Sequence, residues 1–126
     1  SKDISYRITL GNDLRLDFLE ELDMISIVGN LLDNALEAAE KTKDGRYVEC
    51  RMYMGNEEHF LVMEFCNGYV VPLLKDKDRY ISTKRDADSH GIGLHTVGKL
   101  VKKYAGIMRV EVGEQEFSVK LIFTIK

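Results

Sequence analysis

The 126-residue chain contains no tryptophan, a single proline and only three histidines, and it has no long hydrophobic run. No stretch approaches the roughly 20 apolar residues that a membrane-spanning helix needs, so we expect no membrane contact by this domain. The polar start leads directly into patterned sequence, which argues against a signal peptide. The histidines are dispersed, and no cysteine–histidine cluster has metal-ligand spacing. The net charge of −3 argues against binding to nucleic acid.

Cysteine is also scarce: Cys50 and Cys66 are the only two, and both lie inside apolar stretches. Two widely spaced cysteines in a chain with its own core do not resemble a secreted disulfide scaffold. We expect reduced thiols and a cytoplasmic location.

The composition of the chain is typical of a folded domain. The hydrophobic fraction is 44% and the charged fraction 31%. A chain of this length forms one compact unit with one core, so we expect a single domain over residues 1–126.

The hydrophobic pattern predicts two helices and five strands. The first helix follows Asp23, a candidate N-cap, and reaches about Lys41, and the second begins near Gly91 and ends at Tyr104, with Gly106 in a left-handed C-terminal position. This order favours a two-layer α+β sandwich with the helices on one face of a mixed, mostly antiparallel sheet. The predicted strands are Ile4–Leu10, Tyr47–Met54, Phe60–Cys66, Met108–Val112 and Phe117–Ile125.

The first helix carries a polar stripe. Asn30 and Asn34 are four residues apart, so they project from one side about 6 Å apart, and Asp33 and Glu37 flank them. Asparagine is a mediocre helix former, so the pair invites an explanation. The stripe is either a solvated helix surface or a source of oxygen ligands for Mg²⁺, an ion that prefers few protein ligands together with water and phosphate.

Two further motifs lie between the third strand and the second helix. Gly91 and Gly93 precede or open that helix, where backbone N–H groups favour an anion, although a tight turn would have the same sequence. Ser82, Thr83 and Lys84 offer hydroxyl groups and a cation within an irregular segment that is long enough to be a functional lid.

In combination, these motifs resemble the ATPase family that groups DNA gyrase, the heat-shock chaperone, histidine kinases and MutL-type repair proteins. Asn30–Asn34 resembles the N box of that family, and Glu64–Gly68 lies where its first glycine box ends a strand. Gly91–Leu94 resembles the second glycine box, and Thr83-Lys84 resembles a lid sequence that many kinases place before it. The whole pattern is most similar to sensor histidine kinases that detect peptide pheromones in Gram-positive bacteria.

The resemblance implies a Bergerat-type fold that binds Mg-ATP beneath a mobile lid and phosphorylates a histidine on a separate acceptor domain. That acceptor domain would be the direct partner, a response regulator the indirect one, and the domain alone would be inactive. The full-length protein would be anchored in the bacterial membrane by other segments. The implied catalytic residues are Asn30, Asn34 and Lys84, with Asn34 as the metal ligand. The implied nucleotide contacts are Asn34, Cys66, Asn67, Gly68, Ser82, Thr83, Lys84, Gly91, Ile92, Gly93 and Leu94.

The chain departs from the family pattern at the adenine end. The first glycine box usually carries an aspartate that accepts the adenine amino group, and Cys66 occupies that place. Sulfur is a weak acceptor, so Asn67 or a water molecule would have to replace the carboxylate.

It departs at the phosphate end as well. Glu37 stands where many kinases have a lysine, so Lys84 or Arg85 becomes the expected cation, and Ser89 replaces the first glycine of the second box. Two alternatives therefore stay open: a degenerate nucleotide-binding module that serves as an interaction scaffold, and a serine kinase of the anti-sigma-factor type.

Overall fold

A computed structural model describes residues 3–42, 46–68 and 92–125, with the side chain of Ile92 left out. The described part contains five strands and two helices. In chain order they are β1 (Ser5–Leu10), α1 (Glu21–Glu40), β2 (Tyr47–Gly55), β3 (Phe60–Gly68), α2 (Ile92–Lys103), β4 (Ile107–Val112) and β5 (Glu116–Thr124). The predicted elements are confirmed, with boundaries that differ by up to three residues.

The strands form one sheet in the order β1-β2-β3-β5-β4. β1 pairs with β2 in parallel, which the long crossover through α1 permits, and the other three pairings are antiparallel. In the β2–β3 hairpin, the three turn residues Asn56, Glu57 and Glu58 have φ between 49° and 69°. The α+β class and the mixed, mostly antiparallel sheet are confirmed.

Both helices pack on the same face of the sheet. Ile27 and Leu31 of α1 and Val97 of α2 are essentially inaccessible to solvent, and they belong to the same hydrophobic cluster as the inward-facing residues of β2, β3 and β5. The strand residues of that cluster are Cys50, Met52, Leu61, Met63, Phe65, Phe117, Val119, Leu121 and Phe123.

α1 begins two residues before the predicted N-cap. Glu20 is the N-cap residue, with an extended backbone and no capping hydrogen bond from its own side chain. Asp23 lies in the first helical turn, where a carboxylate is favoured by the unpaired N–H groups. The prediction for Asp23 is wrong because Tyr104, the residue that follows α2, satisfies this end of α1, as described below.

The end of α2 also differs from the prediction. Ala105, not Gly106, adopts the left-handed conformation, with φ of 56°. The N–H groups of Ala105 and Gly106 donate to the carbonyls of Lys102 and Val101, which is the Schellman arrangement. Gly106 is glycine for a different reason, since a Cβ there would lie 2.8 Å from the Phe123 ring.

Candidate functional site

Asn30 forms the contact between the two helices at the start of α2. Its Nδ2 donates to the backbone carbonyl of Ser26 at 2.8 Å and to the Ser26 hydroxyl at 3.2 Å. A Cβ on Gly93 would lie only 2.9 Å from Asn30 Oδ1, so the absence of a side chain at Gly93 permits this approach. The structure thus brings the N-box helix and the second glycine box together at one point.

Asn34 lies one turn further along α1 on the same side as Asn30. The helices are antiparallel, because Lys103 near the end of α2 contacts Asp23 near the start of α1. Since α2 begins at Ile92, next to Asn30, the half-buried Asn34 borders the space in front of the α2 N-terminus. Leu94, one residue after Gly93, packs against the hydrophobic core and fixes this first turn.

The C-terminal end of α1 meets the end of β3. Thr42 is 3% exposed, and its hydroxyl lies 3.1 Å from the Ala38 carbonyl and 3.3 Å from the Gly68 carbonyl. The Gly68 carbonyl also accepts a hydrogen bond from Asn67 Nδ2 at 2.9 Å. Asn67 is 1% exposed, and its donor group is engaged by this bond, so Oδ1 is the acceptor that its side chain retains.

Cys66 lies on the other face of the sheet. Side chains alternate along a strand, and Leu61, Met63 and Phe65 of β3 pack under the helices. Asn67 continues that helix-facing row. Cys66 pairs in register with Glu49 and Ser118 on the opposite face. Burial, together with the charge of Glu116, raises the pKa of its thiol. Among the described residues, the structure therefore places Cys66 on the opposite face of the sheet from Asn67.

These contacts define a site that extends along α1. Asn30 and Gly93 lie at one end, Asn34 follows, and Thr42, Gly68 and Asn67 lie at the other end. Twelve residues separate Asn30 from Thr42, which corresponds to about 18 Å. An elongated ligand with a base at one end and an anionic group at the other fits this distribution of polar groups.

Several predicted site residues fall outside the described part of the chain: Ser82, Thr83, Lys84, Arg85, Ser89 and Gly91, together with the side chain of Ile92. Among the described residues, no group of three or more histidine, cysteine, aspartate and glutamate side chains is placed to hold a metal ion.

Two residues of the site were not predicted from the sequence. Ser26 precedes Asn30 by four residues, so helical spacing alone places it beneath Asn30 and could have identified it. Thr42 follows the helix by two residues, and no pattern in the sequence shows that it reaches the Gly68 carbonyl across 26 positions.

A cavity of about 240 Å³ between β1 and α1 is separate from these contacts. It is largely apolar, with Ile8, Leu32 and Leu36 in its wall, and Asp33 also lines it. Asp33 is therefore directed toward β1 and does not join the Asn30–Gly93 contact.

Comparison with known proteins identifies the family. A family model described as a GHKL domain matches residues 19–124. The chain is 34% identical over 98 residues to the sensor histidine kinase DpiB of Escherichia coli and 32% identical over 96 residues to the sensor histidine kinase CitA of Klebsiella pneumoniae. Each alignment covers 74% of this chain but only 18% and 17% of the respective kinase.

Solved structures agree on the fold. The catalytic domain of histidine kinase ThkA superimposes with a TM-score of 0.70 at 18% identity, covering 96% of this chain and 78% of that one. The histidine kinase domain of the Escherichia coli osmosensor EnvZ gives a TM-score of 0.64 at 10% identity, covering 97% of this chain and 76% of that one. The chain belongs to the GHKL family and has the fold of the ATP-binding domain of histidine kinases.

Neither described helix is long and apolar enough to cross a membrane.

Proposed function

We propose that this domain binds Mg-ATP and donates the γ-phosphoryl group to a histidine on a separate acceptor domain in two-component signal transduction. The observation that carries the proposal is the arrangement along α1: one end meets the start of α2 through Asn30 and Gly93, and the other meets the end of β3 through Thr42 and Gly68. Membership in the GHKL family supports it.

At the β3 end, Asn67 takes the role for which the sequence resemblance suggested Cys66. With Nδ2 bonded to the Gly68 carbonyl, Asn67 Oδ1 accepts a hydrogen bond from the adenine amino group. Thr42 holds the Gly68 carbonyl in place and so supports the same contact. An amide is a weaker acceptor than a carboxylate, so we expect modest affinity and modest selectivity for adenine over guanine.

At the α2 end, backbone N–H groups of the first turn favour phosphate, and no acidic residue of that turn opposes it. Asn34, which borders this space, would hold Mg²⁺ through its amide oxygen. An oxygen ligand in a region without a carboxylate cluster fits an ion that takes few protein ligands. When bound, the ion neutralises charge on the phosphates.

Asn30 and Gly93, which meet at the α2 end, supply no general base for water. The Asn30 amide has no useful basicity, and its Nδ2 is bonded to Ser26. Asp33 lines the cavity beside β1. We infer that the domain positions ATP for an external nucleophile and hydrolyses it slowly. Phosphoryl transfer needs mainly positioning and charge neutralisation, which such a site supplies.

The proposal also concerns the full-length protein. The chain spans less than a fifth of the curated kinases that it matches, so the acceptor domain, the membrane anchor and the response regulator belong to other parts of the system. We place the domain in the cytoplasm. Its sequence motifs favour the kinases that sense peptide pheromones in Gram-positive bacteria.

Substitution of Asn34 by alanine tests the metal assignment. We expect Mg-ADP affinity to fall about tenfold, as for the loss of one charge-assisted contact. The melting temperature should change little, because a side chain that is only half-buried contributes little to stability. Titration calorimetry with Mg-ADP measures the affinity. Asp33→Ala, an exposed neighbour on the same helix, is the matched control and should bind like the wild type. Equal affinity of Asn34→Ala and the wild type would refute the assignment.

A further inference from the structure

A second contact joins the two helices at the end opposite Asn30 and Gly93. The backbone N–H of Glu20 donates to the Tyr104 hydroxyl at 3.0 Å, and that hydroxyl donates to Asp23 Oδ2. Lys103 Nζ lies 2.7 Å from the same carboxylate oxygen. We call these four residues, Glu20, Asp23, Lys103 and Tyr104, the helix clasp.

The helix clasp resembles a capping box with a hydroxyl inserted into it. In a capping box, the side chain of the third helical residue reaches back to the N–H of the N-cap residue. Here Asp23 is that third residue and Glu20 the N-cap, and the Tyr104 hydroxyl stands between them. The start of α1 is therefore completed only when α2 is in place.

The Tyr104 ring is held independently of its hydroxyl. It makes edge-on contacts with Phe18, at 6.2 Å between ring centroids, and with Phe123, at 6.4 Å. Removal of the hydroxyl alone would leave these contacts. The two functions of Tyr104, core packing and clasp bonding, can therefore be separated by substitution with phenylalanine.

The position of the helix clasp determines what it can control. Gly93 against Asn30 fixes the first turn of α2, and the buried Val97 and Val101 hold the helix against the core. Lys103 lies ten residues after Gly93, about 15 Å along the axis. A polar anchor at that distance from Gly93 adds to the core packing in setting the direction of α2, and with it the direction of the N–H groups in its first turn.

We propose that Tyr104 and Asp23 are positioning residues, which orient the first turn of α2 toward the nucleotide phosphates from the opposite end of the helix. The inference rests on the proposed function, because it assumes that the first turn of α2 contacts the phosphates. Neither residue touches the nucleotide. Tyr104 and Asp23 act on the first turn through α2, which moves as a rigid helix. Even a small displacement of groups that position a reactant lowers the reaction rate strongly.

Tyr104→Phe tests the proposal, and Tyr53→Phe is its control. Tyr53 also bonds a carboxylate, Glu64, at 3.2 Å, but it lies on the sheet face away from the helices. We expect Tyr104→Phe to weaken Mg-ADP binding about tenfold, whereas Tyr53→Phe binds like the wild type. Asp23→Asn, which keeps an acceptor oxygen, should weaken binding less than Asp23→Ala.

A second readout does not need nucleotide. In ¹H–¹⁵N spectra, the backbone amide of Gly93 and the side-chain amide of Asn30 should shift in Tyr104→Phe but not in Tyr53→Phe. Wild-type affinity together with unshifted Gly93 and Asn30 signals in Tyr104→Phe would overturn the proposal. If the wild type itself fails to bind ADP, the proposed function falls, and the spectra still decide whether the helix clasp orients α2.

Discussion

At the scale of single residues, the directions of Cys66 and Asn67 determine which side chain we assign to the adenine amino group. The resemblance places Cys66 at the position of the adenine-binding aspartate and leaves Asn67 or a water molecule as the replacement acceptor, and strand alternation favours Asn67. Leu61, Met63 and Phe65 form the buried row of β3, and the next member of that row is Asn67. The signal was present in the sequence, since three apolar residues at spacing two specify the inward face of a strand.

Substitution of Cys66 should change the stability of the domain, whereas substitution of Asn67 should change its affinity for ADP. Cys66→Asp would bury a carboxylate near Glu116, Glu64 and Glu49, whose charges Arg51 offsets only in part, and we expect it to lower the free energy of unfolding by about 2–4 kcal/mol without tightening ADP binding. Asn67→Ala should weaken ADP binding about tenfold, as for the loss of one hydrogen bond. Urea unfolding and calorimetry measure the two effects. Tighter ADP binding by Cys66→Asp would show that residue 66 faces the nucleotide.

At the scale of secondary-structure elements, two glycines of α2 should respond differently to alanine. A Cβ at Gly93 would lie 2.9 Å from Asn30 Oδ1, whereas one at Gly98 would meet Met108 Sδ at an ordinary 3.9 Å. We expect Gly93→Ala to destabilise the domain by about 1–3 kcal/mol through overpacking. Gly98→Ala should stabilise it by up to about 1 kcal/mol, because alanine favours a helix.

The double variant Asn30→Ala/Gly93→Ala tests whether the contact with Asn30 causes the expected destabilisation by Gly93→Ala. Asn30→Ala removes Oδ1, the atom that would lie only 2.9 Å from a Cβ at residue 93, so the double variant should be more stable than Gly93→Ala. Urea unfolding compares all four proteins. If the two substitutions are simply additive, then the close approach between the helices does not explain the glycine.

Asp23 should also make stability depend on pH. The pKa of this carboxyl lies below its ordinary value of 3.8, mainly because Lys103 donates a hydrogen bond to it and also because Tyr104 does. A lowered folded-state pKa stabilises the fold above the unfolded value, and the stabilisation is lost as the pH falls through the folded value. The difference in unfolding free energy between the wild type and Asp23→Asn should therefore be constant above about pH 5 and shrink below pH 4.

Urea unfolding at a series of pH values measures this difference, with exposed Asp17→Asn as the control. A difference that stays unchanged down to pH 2 would mean that Asp23 is not held by Lys103 and Tyr104.

The elements themselves were largely predictable, but their connections were not. Alternation and helical spacing located the five strands and two helices of the described part, because most of them bury one regular face. The errors lie where distant residues interact. Tyr104 completes the start of α1 from 81 positions away from Asp23, and the ring of Phe123 excludes a side chain at Gly106. Local patterns carry no information about such partners.

At the scale of the whole molecule, the proposal separates a kinase from a hydrolase. Related ATPases that perform mechanical work carry a glutamate four residues before the metal-binding asparagine, and here that position is Asn30. Positioned general-base catalysis contributes about 10²–10⁴-fold. We therefore expect very slow phosphate release from ATP by this domain alone.

Addition of an acceptor-helix fragment from a kinase of the same subgroup completes the test. ATP labelled at the γ position should then transfer phosphate to the fragment as an acid-labile phosphohistidine. The same fragment with its histidine replaced by alanine is the control. Rapid phosphate release by the domain alone, with no labelled fragment, would contradict the kinase proposal and favour an ATPase.

β1 gives the molecule an edge that opens at low energetic cost. Its six residues are all exposed, with Tyr6, Ile8 and Leu10 between 58% and 67%, and β2 is its one partner among the described strands. The main core cluster draws no member from β1. Local unfolding there should require only a fraction of the free energy of global unfolding, and its amide protons should exchange first. The helices and central strands that carry the proposed site would keep their core while that edge is open.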